Sequence, residues 1–158
     1  MVKAIPEGYH TITPHFTVKD ARKAIDFYKR AFGAKEKFVM PGPGGRGVMH
    51  AELEIADSPF MLNDESPQNP CKSAETLGNS PVSFYLYVPD ADAAFNKAKA
   101  AGGRAKMPVA DMFWGDRMGS IEDPFGYTWS IATHKKDISP AEMGNAAEEF
   151  FAQAAAKK

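Results

Sequence analysis

Val18-Lys19-Asp20-Ala21 returns seventy positions later as Val88-Pro89-Asp90-Ala91, and the same shift pairs Ala24 with Ala94, Lys29 with Lys99, Ala31 with Ala101 and Gly33 with Gly103. Self-similarity at a fixed spacing marks a duplicated structural unit. Each copy reads as a strand, an Asp suited to cap a helix start, a helix of about four turns and a terminating glycine. Before the first helix, Thr11, Thr13, His15 and Thr17 alternate with Ile12, Pro14, Phe16 and Val18. Before the second, Ser83, Tyr85 and Tyr87 alternate with Val82, Phe84, Leu86 and Val88. Period-two alternation predicts strands with one apolar and one mixed face. Ala21, Ile25, Tyr28 and Phe32 recur at helical spacing, so the first helix covers the apolar face and leaves the mixed face open.

Three more strands are predicted after each helix. In module one they are Phe38 to Met40, Val48 to Ile55 and Phe60 to Asn63, separated by a glycine-rich turn from Pro41 to Gly45 and a turn at Asp57-Ser58-Pro59. In module two they are Ala105 to Val109, Arg117 to Glu122 and Tyr127 to His134, with a loop at Phe113-Trp114-Gly115 and a turn at Asp123-Pro124-Phe125-Gly126. A ferredoxin-like sandwich also repeats a βαβ element, but three strands after each helix argue against it. The expected architecture is α+β: paired βαβββ modules forming an open, cupped mixed sheet around one cleft. Residues 1–158 form a single domain in this reading, with module one at about 9–63, a connector at 64–80 and module two at about 81–134. A C-terminal helix at about 139–156 opens on Ser139-Pro140-Ala141-Glu142, a capping box with Pro at the first helical position.

Composition narrows the partners. The chain is 44% apolar and 25% charged, with a formal net charge of −1, which is globular and carries no electrostatic footprint for nucleic acid. No apolar run is long enough to span a bilayer and the start has no apolar leader, so a cytoplasmic protein without membrane contact is expected. The single Cys71 lies in a Pro-rich connector and is read as a bystander.

The run Ile12-Thr13-Pro14-His15, the helix segment Ala24-Ile25-Asp26-Phe27-Tyr28-Lys29, Met49-His50-Ala51-Glu52-Leu53, Trp114-Gly115-Asp116-Arg117, Asp123-Pro124-Phe125-Gly126-Tyr127-Thr128-Trp129 and the tail Ile138 to Met143 resemble the vicinal oxygen chelate superfamily. This is the glyoxalase/bleomycin resistance/dioxygenase group, and the resemblance is to its PhnB-like branch over nearly the whole chain. The resemblance implies the paired-module fold but no single activity, because the superfamily hosts isomerases, dioxygenases, thiol transferases and antibiotic-binding proteins. It also implies where a divalent metal would sit, and those positions carry over to Thr13, Met61, Ser83 and Ser130. Thioether and neutral hydroxyls are poor ligands for such an ion. A register two residues along the first strand puts His15 there instead, which still leaves one histidine among Met and Ser. No metal and no other cofactor is expected.

The cleft lining predicted from strand parity is Thr13, His15, His50, Glu52, Met61, Ser83, Tyr85 and Ser130, with Trp114, Asp116 and Arg117 at its mouth. Aromatic walls with a few convergent polar groups suit a small-molecule ligand. His50 and Glu52 point the same way, and with His15 they are the catalytic candidates: an acid–base pair, a displaced metal site, or a satisfied polar cluster that holds the sheet. Arg117 beside Asp116 reads equally as a clamp for a planar anion or as a loop-fixing ion pair. The expected function is the binding of a small planar or anionic molecule, for sequestration or for an unspecified reaction. The alternatives are a metal-dependent lyase, isomerase or dioxygenase at His15, His50 and Glu52, and an interaction protein with a vestigial cleft. Exposed strand edges and the aromatic tail at Phe150 and Phe151 predict a homodimer.

Overall fold

The computed structural model describes residues 2–156. Module one runs β1 (His15–Val18), α1 (Ala21–Phe32), β2 (Lys35–Pro41), β3 (Val48–Ile55) and β4 (Ser58–Asp64). A short helix α2 (Ala74–Leu77) lies in the connector. Module two repeats the plan as β5 (Ser83–Tyr87), α3 (Ala91–Ala101), β6 (Arg104–Asp111), β7 (Asp116–Glu122) and β8 (Thr128–His134), and α4 (Pro140–Ala156) follows. The strands form two four-stranded sheets, ordered β1, β4, β3, β2 and β5, β8, β7, β6. In each, the first strand runs parallel to the last and the remaining pairs are antiparallel. This is the expected α+β architecture of paired, unclosed βαβββ units. No helix among the described residues is long and apolar enough to cross a membrane.

The repeated aspartates do what their spacing predicts. The Asp20 carboxylate accepts from the Lys23 N–H at 3.0 Å, and Asp90 accepts from Ala93 at 3.0 Å, satisfying donors that a helix start leaves free. Gly33 ends α1 in the left-handed region, at φ 70°. In module two the terminating residue is Gly102, at φ 121°, one position before the expected Gly103. Gly103 has a different duty, since a Cβ there would stand 2.8 Å from Ile121 Cδ1 and 3.0 Å from the Ala98 carbonyl. The turn between β3 and β4 also shifts: Ile55 pairs with Ser58, so Ala56 and Asp57 alone make it and Ser58 and Pro59 belong to the strand. In α4, Ser139 Oγ and Glu142 cap each other as the capping box predicts.

One apolar core joins the modules. Phe16 of β1 meets Phe84 of β5 at 5.0 Å between ring centroids, and Tyr28 and Phe32 of α1 reach Trp129 of β8 at 5.4 and 4.6 Å. At its centre the Asp123 carboxylate, only 4% exposed, accepts from Tyr28 Oη at 2.7 Å and from Trp129 Nε1, Phe125 N and Tyr127 N at 2.9 Å each. Burial pushes its carboxyl above the ordinary range, and the hydrogen bonds work against that rise. Tyr127 Oη reaches across to the Thr17 carbonyl at 2.7 Å. The Asp-Pro-Phe-Gly turn is therefore the clasp between the two units. Because the helix-covered sides of both sheets share this core, their uncovered faces lie outside it.

Candidate functional site

On the uncovered face of sheet one, His15 lies beside Met61, and Met61 beside Glu52, in strand register. His15 thus occupies the place first assigned to Thr13. Thr13 precedes the strand, and its hydroxyl bonds the His10 carbonyl at 3.3 Å. Both Glu52 oxygens are engaged: Tyr9 Oη donates to one, and His50 Nε2 stands 3.2 Å from the other. The Tyr9 bond, with smaller help from His50 and Lys37, holds the Glu52 carboxyl below the usual range, and burial opposes this. Burial and the same hydrogen bond push the Tyr9 hydroxyl up to about 12. His15 and His50 meet edge to face at 5.8 Å. Phe38 and Met40 of β2 extend the face and are exposed.

Sheet two presents a second network. Asp116, 4% exposed, accepts from Tyr85 Oη at 2.9 Å and Tyr87 Oη at 3.1 Å, and His134 Nδ1 lies 2.9 Å away. The other imidazole nitrogen faces Asp137 at 3.0 Å. Burial alone raises a carboxyl, but these three bonds together hold Asp116 below its ordinary value. Burial and the Asp116 bond push Tyr85 up to about 12, an effect that the neighbouring Trp114 indole partly offsets. Ser130 pairs with Tyr85 in register, and Ser83 opens the strand. Phe113 packs against Phe150 of α4 at 5.4 Å, which joins the tail helix to this rim.

Arg117 does not belong to this face. Strand parity turns it to the α3 side, where its Nε and Nη2 bond Asp92 at 2.6 and 2.8 Å and its Nη1 bonds Asp111 at 3.1 Å. Of the two readings open for Arg117, the ion pair is the one formed; its neighbour Asp116, one residue earlier, necessarily points the other way. Three groups that sequence reading passed over complete the networks. Tyr87 and His134 lie at period two from Tyr85 and Ser130, so parity alone would have found them. Tyr9 gives no such signal, since it sits in an irregular segment 43 positions from Glu52.

The chain matches the Glyoxalase/Bleomycin resistance protein/Dioxygenase superfamily over residues 9–131. It belongs to that superfamily. It is 40% identical to an uncharacterized protein of Mycobacterium tuberculosis over 135 residues, covering 84% of this chain and 79% of that protein. A gene product of Arabidopsis thaliana, solved by X-ray, aligns with TM-score 0.65 at 32% identity over 78% of this chain and 98% of the other. A PhnB protein from Bacillus cereus shares the fold at TM-score 0.61 and 19% identity, over 78% of this chain and 99% of the other.

A divalent metal of the kind the superfamily can hold does not fit the donors here. In register, its positions carry His15, Met61, Tyr85 and Ser130: one imidazole with a thioether, a phenol and a hydroxyl. Nor do His15, His50 and Glu52 converge as ligands, for among the described residues no group of three His, Cys, Asp or Glu is arranged to hold an ion. Tyr9 and His50 already engage one oxygen each of Glu52.

The second network has a measurable signature. Hydrogen bonds to Asp116 and then Asp137 raise the His134 pKa above its ordinary value. The stabilisation from this pairing is present in full below the unfolded value, about 6.5, and is lost as pH rises through the raised folded value. In an NMR titration, His134 should titrate above 6.5 and fall back towards it in Asp116→Asn. An unchanged titration in that variant would remove Asp116 as the cause.

Proposed function

We propose that this chain is a PhnB-like superfamily member that binds a small planar molecule in a cleft without a resident metal, as a sequestering protein or as an enzyme acting on that molecule. The observation that carries this reading is the pair of uncovered sheet faces, each with a His–carboxylate–tyrosine network set among exposed apolar side chains. Tyr85, Tyr87 and Phe38 are 46%, 61% and 50% exposed, more aromatic surface than a solvated sheet face has reason to display. A pocket of this kind needs both polar anchors and apolar walls, and the faces supply both.

The site is completed by a second copy. The cavities lined by His15 and by Glu52 and Met61 do not include Ser83, Tyr85 or Ser130, and the one lined by Tyr85 includes none of His15, His50, Glu52 and Met61. One chain therefore offers two half-clefts, because the shared core takes the helix sides of both sheets. A two-fold homodimer that sets sheet one of one copy against sheet two of the other makes two whole clefts and covers the exposed rings.

A thermal-shift screen of planar heteroaromatic compounds, followed by titration of the hits, tests the reading. Tyr85→Ala should weaken binding by about 1–3 kcal/mol, while Arg117→Ala, altered on the opposite side of its sheet, should leave affinity unchanged. Binding lost in Arg117→Ala and untouched in Tyr85→Ala would assign the wrong face.

A further inference from the structure

The geometry points to a ligand class for the sheet-two face: we infer that Tyr85, Tyr87 and Trp114, gathered around the buried Asp116, select a planar molecule that carries a positively charged nitrogen. This rests on the small-molecule reading above and narrows it. The argument is one of donors and acceptors. Tyr85 and Tyr87 both give their hydroxyl protons to Asp116, at 2.9 and 3.1 Å. What they offer outward is a phenol oxygen lone pair and a ring face, and neither suits an anion.

The rings are close, with 5.1 Å between centroids and 48° between planes, and Trp114 stands next to Tyr85. Aromatic faces set around a carboxylate attract a cation through the ring quadrupole, the more so where water is excluded. The local charge agrees in sign. His134 lies between Asp116 at 2.9 Å and Asp137 at 3.0 Å, so even a protonated imidazole leaves this trio one negative charge in excess. Arg117, the guanidinium that neighbours Asp116 in sequence, is turned away from this group and held by Asp92 and Asp111. The sheet-one half of the cleft adds the Glu52 carboxylate, and Lys37 there is bonded to Glu54 at 3.0 Å.

Three planar probes of similar shape separate the possibilities: cationic N-methylquinolinium, neutral N-methylquinolone and anionic naphthoate, each titrated into the full-length protein with NMR observation of the aromatic side chains. The expected result is shifts at Tyr85, Tyr87 and Trp114, with the cation bound about tenfold more tightly than the neutral probe. Asp116→Asn keeps an oxygen to accept from the phenols but loses the charge, and should reduce that preference to near unity. Tyr87→Leu, at a 61% exposed position, should reduce it too and guards against a folding defect in the first variant. Naphthoate or quinolone binding at the same residues as tightly as the cation would overturn the charge preference and leave the site standing. Failure of all three probes to move these residues would overturn the site as well as the preference.

Discussion

Asp123→Ala should be among the most damaging single substitutions in this chain, lowering stability in urea unfolding by about 4 kcal/mol or more. The carboxylate receives four hydrogen bonds, from Tyr28, Trp129 and the amides of Phe125 and Tyr127. Each buried donor left without an acceptor costs about 1–3 kcal/mol, and the loss falls where α1 of one module meets β8 of the other. Asp123→Asn should do less harm, because its remaining carbonyl oxygen still serves one pair of donors while its amide opposes the other. A loss below about 1 kcal/mol in the alanine variant would mean that the clasp is dispensable.

Phe16→Ala is the second large effect expected, at roughly 3–5 kcal/mol. Its ring lies 4.9 Å from Tyr127, 5.0 Å from Phe84 and 5.8 Å from Phe60, so truncation opens a void at the junction of the modules that rigid neighbours cannot fill. Tyr85→Ala, on the uncovered side of β5, should cost less than about 1 kcal/mol. The contrast follows from strand parity, and if the order of the two variants were reversed every face assignment on these sheets would be wrong by one residue.

Most of the fold was legible because its signals are local. The aspartate caps, the alternation of His15 with Phe16 and of Tyr85 with Phe84, and the capping box at Ser139 each need only neighbouring residues, and each formed as read. The errors at Gly102 and at the Ala56-Asp57 turn have one origin: composition marks a glycine pair or a Pro-containing turn, but packing decides which member takes the special conformation. Gly103 is committed to Ile121 and Ala98, leaving Gly102 to end the helix.

The site was legible by face and much less by partner. Parity placed His50, Glu52 and Tyr85 on the uncovered sides, and applied across Asp116 and Arg117 it would have separated those two, which were both set at the mouth, by turning Arg117 to the covered side. Which groups bond to one another depends on loops that have no period. Tyr9 reaches Glu52 from the irregular N-terminal segment, and His134 reaches Asp116 across the β7–β8 pair. How the two uncovered faces come together as a cleft depends on how the two sheets share a core, and a one-dimensional repeat does not encode that.

The central claim is that each cleft is built from two copies, with sheet one of one chain against sheet two of another. It can be tested by mixing isotope-labelled protein with unlabelled protein that carries a spin label at Phe38→Cys on a Cys71→Ser background. The account predicts that in mixed dimers the label broadens the amides of Ser83 to Tyr87 in the labelled partner. Sharp, unaffected resonances from that strand at concentrations where the chains associate would contradict it.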